Sequence, residues 1–251
     1  MMSHQSISMS ISRSTVCSLL LLLSVFLAAP AVAQQRQQGQ QGQQHLSKDE
    51  QLRLRMKAID DSIPFFRGVQ IKADLVGPIQ RAVSSYGQYE VGVRVNLKDK
   101  YFPVVELGYG SADETNDVTA THYKTSAPYG KIGVDFNIMK NKHDIYRLYA
   151  GLRGAYTNFK FDVDHPDVTD PVFGGTSPYS SHDIKANYSW LELLFGIDAK
   201  IAGPVHLGWT ARYKRRLTHD DGTMGNLWYV PGYGKQGGSR LGGTFEIMIE
   251  I

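Results

Sequence analysis

Cysteine is almost absent: the 251 residues hold one, Cys17, inside an apolar run near the N-terminus. A disulfide scaffold and a cysteine metal site are therefore excluded, as is thiol chemistry once that run has been removed. An excess of one charge is lacking too. Lys and Arg number 27 against 24 Asp and Glu, a formal +3, which argues against nucleic acid or another polyanion as partner. No second apolar run approaches the roughly 20 residues of a spanning helix, so a helical membrane bundle is excluded. A hydrophobic share of 42% removes the disordered and collagenous classes. What is abundant points to strands: the 25 Gly exceed the usual share, and the 14 Tyr outnumber the 10 Phe and 3 Trp together.

The apolar run has the grammar of an export leader. Arg13 gives a positive n-region, Val16 to Ala29 an apolar h-region, and Ala31-Val32-Ala33 a small-x-small cleavage site. Residues 1–33 are read as a signal peptide cleaved after Ala33, which removes Arg13 and leaves a net charge of +2. Residues 34–46 form a Gln-rich linker with too little apolar surface to offset the entropy of ordering. Ser47 and Glu50 then make a capping box, and Leu52, Met56, Ile59 and Ile63 recur at spacings of 4, 3 and 4 before Pro64. A helix over 48–62 is expected, within a periplasmic segment 47–66. It is read as resting on the membrane surface or a partner, in preference to a lid over the mouth of the domain beyond it.

From residue 67 the period changes to two. Val69, Ile71, Ala73 and Leu75 alternate with Gln70, Lys72 and Asp74, and the same alternation recurs over 89–97, 101–109, 131–138, 146–156, 190–201, 205–214 and 240–251. That makes eight strands. None of their apolar faces carries a charged, amide or hydroxyl side chain other than Tyr. Lipid enforces such purity, since a Lys or Arg facing the membrane midplane costs roughly 2–4 kcal/mol.

Three further signals favour a membrane barrel over 67–251. Residues 98–100, 140–144 and 202–204 read as tight turns, whereas the alternate connections at 77–87, 110–128, 160–187 and 216–238 are long. An even strand number with short turns at one end and long loops at the other is the outer-membrane layout. Gly92, Gly108, Gly133, Gly151, Gly196, Gly208 and Gly242 lie on the polar faces, where missing side chains make room in a lumen just wide enough to be filled. The lumen charges are then Lys72, Arg94, Lys131, Arg147, Arg153, Arg212, Lys214 and Arg240 against Asp74, Glu90, Glu106, Asp135, Glu192, Asp198 and Glu246, with Lys200 and Glu250 added. Near balance is what buried charges require. Finally, a sheet in lipid cannot leave an open edge, so the last strand should pair with Val69 to Leu75.

These features resemble the small OmpA-like and OmpX-like eight-stranded outer-membrane barrels, although Ile251 stands where such barrels usually end in an aromatic residue. The fold expected is all-β, an eight-stranded antiparallel up-and-down transmembrane barrel with a short N-terminal periplasmic helix. The resemblance implies a cofactor-free protein of a Gram-negative outer membrane, in contact with lipid and lipopolysaccharide, with roles ranging over envelope integrity, adhesion and lipid modification.

Within that frame the leading reading is a non-enzymatic barrel with a side-chain-filled lumen and four long extracellular loops, in a structural or surface-recognition role. Phe173, Tyr179, Trp228, Tyr229 and Tyr233 place aromatic rings in the longest loops, either to bind an extracellular protein or glycan or to pack over the mouth. An enzyme alternative rests on His122, Ser181, His182, Asp183, His219, Asp220 and Asp221 at the outer rim. Adjacent Ser181, His182 and Asp183 cannot form a relay along one strand, which leaves Ser181 with His219. Asp162, Asp164, Asp167 and Asp170 lack the Gly and terminal Glu of a calcium loop, so no metal ligand is assigned. His206, alone among lumen positions, reads as hydrogen-bonded. A third reading is a secreted lipocalin-like calyx holding an apolar ligand.

Overall fold

Period-two alternation over this many residues gives an antiparallel sheet that closes on itself. The computed structural model describes residues 47–169, 172–177, 179–222 and 227–251; the expected leader and Gln-rich linker lie outside the described residues. The helix α1 (Lys48–Ser62) precedes strand β1 (Phe66–Asp74), helix α2 (Val76–Val83) and strands β2 (Tyr86–Leu97), β3 (Tyr101–Asn116), β4 (Thr121–Asn137) and β5 (Tyr146–Asp164). A short ribbon of β6 (Val168–Thr169) and β7 (Thr176–Ser177) leads to β8 (Ser181–Ala202) and β9 (Val205–Asp220), and the hairpin β10 (Tyr229–Val230) and β11 (Gly234–Lys235) leads to β12 (Ser239–Glu250). The barrel order is β1-β12-β9-β8-β5-β4-β3-β2. Closure sets Ile71 opposite Ile249 and Asp74 opposite Glu246; Ile251 N donates to Val69 O and Leu75 N to Phe245 O, each at 2.8 Å.

Burial runs opposite to that of a water-soluble protein. On β2, Val91 and Val93 are exposed while Glu90, Arg94 and Asn96 are buried, and on β8 Leu193, Phe195 and Ile197 are exposed while Glu192 and Asp198 are buried. The apolar side chains that a calyx would turn inward are thus on the outside, and the lipocalin reading falls. No described helix is long and apolar enough to cross a membrane.

The turns at 98–100 and 202–204 are as tight as expected, whereas the connection expected at 140–144 widens to 138–145, between Asn137 and Tyr146. Lys98 and Asp99 take φ of 55° and 54°, and Asn96 Oδ1 accepts from Asp99 N at 2.9 Å. Helix α1 sits at this end: Lys100 Nζ lies 2.6 Å from Asp60 Oδ2 and His143 Nε2 lies 3.5 Å from Asp60 Oδ1. The hydrogen bond from Lys100 holds the Asp60 carboxyl below its ordinary pKa. No residue of α1 is buried, and Leu52 and Ile59 stay exposed.

The loop expectations need correction. Residues 110–128 are not a loop: β3 and β4 pair up to Asn116 opposite Thr121, leaving 117–120 as the turn. β5 likewise climbs to Asp164 and β8 starts at Ser181, and the 77–87 connection holds α2. The physical reason is an inversion of phase. Below, apolar residues face out; above, they face in, with Phe159, Phe161, Val163, Ile184, Ala186 and Tyr188 buried while Lys160 and Lys185 point outward. The alternation changes sign where lipid gives way to water, and the strands continue through the change.

Glycine makes the room its sequence positions promised. A Cβ on Gly108 would lie 2.2 Å from the Tyr129 ring and one on Gly196 2.6 Å from the Tyr149 ring. At Gly133 the obstacle is backbone, Leu152 O at 2.0 Å, whereas Gly154 has nothing within 4 Å. Gly133→Ala is therefore expected to lose about 1–3 kcal/mol by overpacking while Gly154→Ala stays near wild type, as read by urea unfolding in lipid vesicles.

Candidate functional site

Every barrel strand sends at least one charge inward, and these charges interleave by sign. Arg212 on β9 is the hub: its Nη1 donates to Glu90 Oε1 at 2.9 Å and its Nη2 to Glu246 Oε1 at 2.7 Å, with Glu106 and Glu192 each 3.4 Å from Nη1. Lys131 lies 2.8 Å from Glu90 and 3.1 Å from Glu192. Lys72 pairs with Glu106 and, at 3.2 Å, with Glu246. Arg153 joins Glu106 and Asp135, each at 3.0 Å. Glu106, Asp135 and Glu192 are fully buried. Charges withdrawn from solvent this far persist only when paired, and this arrangement gives every one of them an opposite charge.

A second cluster lies nearer the turns. Arg94 pairs with Asp198 and stands 5.0 Å from the centroids of both the Phe102 and Tyr149 rings. Arg147 reaches Glu250 at 3.2 Å. His206 Nδ1 is 2.9 Å from Asp198 Oδ1 and its Nε2 is 2.9 Å from Glu250 Oε2, the hydrogen-bonded role expected of it.

Four predicted lumen charges depart from the pattern. Lys200 is exposed at the turn end. Asp74 accepts from Val76 N at 3.1 Å and Gly77 N at 2.9 Å, capping α2 instead of pairing with a cation. Lys214 donates to Gly232 O at 2.7 Å and Tyr233 O at 3.3 Å, with Glu192 at 3.8 Å. Arg240 forms no ion pair among the described residues and makes one hydrogen bond, to Lys235 O at 2.9 Å. Alternation fixes the side of the wall a residue faces, not its depth.

Carboxylate oxygens of Glu90, Glu106 and Glu246 converge within 4.8 Å of one another. The amines of Lys72 and Lys131 and the guanidinium of Arg212 sit among them, supplying the positive charge that a metal ion would bring.

Above the charges the mouth is aromatic. The segment expected to project as the 216–238 loop turns back into the barrel as the β10–β11 hairpin, burying Leu227, Tyr229, Val230 and Tyr233. Tyr233 packs 4.9 Å from Tyr188 and 5.8 Å from Trp190, and Tyr123 Oη donates to Tyr229 O at 2.8 Å. Gly232, at φ 82°, leaves no space for a side chain: a Cβ there would lie 2.5 Å from the Tyr129 ring. Tyr229 and Tyr233 are therefore corrected from loop-recognition residues to packing inside the mouth. Trp228 is half-buried, while Phe173 and Tyr179 are exposed.

Ser181 and His219, the pair that the sequence left open, do not meet. His219 is opposite Tyr188 in the β8–β9 register, and Ser181 lies seven residues farther along β8, roughly 23 Å away at about 3.3 Å per residue. His219 instead lies 3.7 Å from Asp221. His122 Nε2 is 2.8 Å from Asp113 Oδ1, and this hydrogen bond lowers the Asp113 pKa. His182 is 3.4 Å from Asp164, and Asp162 accepts from Asp183 N at 2.7 Å. Asp170 lies outside the described residues.

A closed ring of eight antiparallel strands, apolar outside and charged or aromatic inside, defines the class: a small membrane-spanning β-barrel of the outer-membrane type. The chain belongs to the family described as Domain of unknown function (DUF6048), which matches residues 12–250. Comparison with the curated proteins gives no match. Among solved structures it is similar to Neisserial surface protein A (NspA), at 14% identity over 74% of this chain and 99% of that one, with a TM-score of 0.40. It is also similar to a major outer membrane protein from Thermus thermophilus, at 11% identity over 74% and 100% of the two chains, TM-score 0.44. A third is Ail, the attachment invasion locus protein of Yersinia pestis, at 9% identity over 73% and 93%, TM-score 0.34.

Proposed function

We propose that the chain is a non-enzymatic integral protein of a Gram-negative outer membrane, exported by its cleaved leader, with a lumen closed to ions and a structural or surface-recognition role. One observation carries the reading: the interior is occupied twice over, by the Arg212-centred ion network and by the inward-folded β10–β11 hairpin. At eight strands little space remains after side chains are placed. The helix α1, held at the turn end through Asp60, supports placing that end in the periplasm and the opposite end outside.

A surface-recognition role is supported by the outer rim. A cavity of about 900 Å³ lies among the β3–β4 tip, Tyr123, His165, Tyr179 and Trp228. Phe173, 88% exposed, adds an apolar ring near the end of the β6–β7 ribbon. Such a surface suits an extracellular protein or glycan, with lipopolysaccharide and outer-membrane lipid around the wall.

The test is extraction and conductance. The chain is expected to need detergent, to migrate differently on gels before and after boiling, and to give no steady open channels in planar bilayers. Recovery from the soluble periplasm contradicts the membrane placement, and sustained conductance contradicts the closed lumen.

A further inference from the structure

The strand β1 is shorter than the wall it closes. Its last paired residue is Asp74, opposite Glu246, yet β12 continues upward as Ser239–Phe245, still paired to β9 on its other side. Helix α2 fills only part of the gap, packed against β2. A Cβ on Gly77 would lie 2.2 Å from Gln88 O, and one on Gly87 2.6 Å from the Arg81 backbone. On the lumen side of β12 there is room as well: Gly242 is exposed, and a Cβ on it would meet nothing within 4 Å. A cavity of about 290 Å³ lies there, bounded by α2, β12 and the β10–β11 hairpin, and its lining includes Arg212, Lys214 and Arg240 but no carboxylate.

Three observations define what this window takes. The first is backbone polarity. Phe245 O accepts from Leu75 N, and Ile251 N donates to Val69 O, so odd positions of β12 bond toward β1. The same phase aims the N–H and C=O groups of Leu241 and Gly243 at the gap, where no strand follows. Unpaired backbone facing acyl chains is strongly disfavoured, so a polar group belongs there.

The second is charge. Arg240 has no ion pair among the described residues, and Lys214 faces it across the β9–β12 ladder. The third is depth. Leu241, opposite Tyr213, is the top of the apolar face of β12 and is 79% exposed, and on α2 Ile79 and Val83 are exposed too. The opening therefore sits where acyl chains meet headgroups.

We propose that this window receives the phosphate head of a membrane amphiphile, held by Arg240 and Lys214, while its chain stays outside along Leu241, Ile79 and Val83. The inference rests on the membrane placement proposed above. Arg240 Nη1 already donates to Lys235 O, which leaves Nε and Nη2 as the parallel pair that matches a phosphate monoester, and Lys214, bonded to Gly232 O and Tyr233 O, adds a point charge.

The experiment uses the purified full-length barrel in dodecyl maltoside, titrated with dodecyl phosphate and read by native mass spectrometry. Wild type is expected to bind one dodecyl phosphate saturably, Arg240→Gln about tenfold more weakly, and Gly242→Leu, which fills the opening, not at all. Inorganic phosphate at the same concentration is expected not to displace the amphiphile. Unchanged binding in either variant overturns the window, and displacement by inorganic phosphate overturns lateral entry in favour of a phosphate arriving from water. Heat-modifiable migration confirms that each variant is folded; if Gly242→Leu fails to fold, Arg240→Gln on the rim decides alone. A chain recovered without detergent overturns the membrane placement, whereas lost selectivity in a barrel that still needs detergent overturns this site only.

Discussion

Ile197→Arg is expected to abolish assembly in the membrane, and Val93→Arg to do the same. Val93 is the middle of the five outward residues of β2, and Ile197 sits near the middle of the outward run Leu191–Ile201; both are about half exposed. Their surroundings are acyl chains, where an arginine near the midplane costs roughly 2–4 kcal/mol, a large part of the roughly 5–15 kcal/mol that keeps an ordinary domain folded. The measurement is the fraction of chain in the outer-membrane fraction that shows heat-modifiable migration. Asn158→Arg is the control, since Asn158 is exposed on β5 just beyond Tyr156, where the phase has inverted and the wall meets water. It is expected to assemble normally. Wild-type assembly of Ile197→Arg contradicts the outward lipid face, and failure of Asn158→Arg places the boundary higher than the phase inversion does.

The eight strands were legible because lipid imposes a one-sided rule: no polar group on the outer face over many consecutive turns of the pleat. Residues such as Val91, Val93 and Val95 carry that rule in plain alternation. The upper halves of β3, β4, β5 and β8 were not, because the rule reverses at Tyr156 and Leu191, and a reader following apolar residues on one face stops there. Phe159, Phe161 and Val163 alternate just as strictly, in the other phase. The lumen set was legible as a set, since Glu106, Lys131, Glu192 and Arg212 all fall on inward positions. Their pairing was not: Arg212 meets Glu90 across 122 residues of chain, and only the strand order brings them together. That Arg240 meets Lys235 O of the inward hairpin in place of a carboxylate was hidden for the same reason. Tyr229 and Tyr233 were left open between recognition and packing over the mouth, because nothing in a Gly-rich segment shows whether it turns outward or back into a barrel mouth.

Arg212→Met is expected to cost about 3–5 kcal/mol, the range for removing one partner from a buried ion network. The side chain contacts Glu90, Glu246, Glu106 and Glu192 together. Without it, four carboxylates converge on Lys72, Lys131 and Arg153, and the like charges repel at short range. Methionine fills much of the volume but neutralises nothing. Adding Glu90→Gln and Glu246→Gln removes the two charges that lay closest to the lost guanidinium and is expected to return most of the loss, because the coupling lies in the charges and not in the packing. The midpoint of urea unfolding in lipid vesicles reads all three proteins. The size of the effect also decides the state of the lumen. If water filled it, each ion pair would be screened and worth about 0–1 kcal/mol, as at a protein surface, and Arg212→Met would be nearly silent. A loss under about 1 kcal/mol would falsify the dry interior and reopen the possibility of conduction. A loss of several, recovered by the amides, means that the network is both the core of this barrel and the barrier across it.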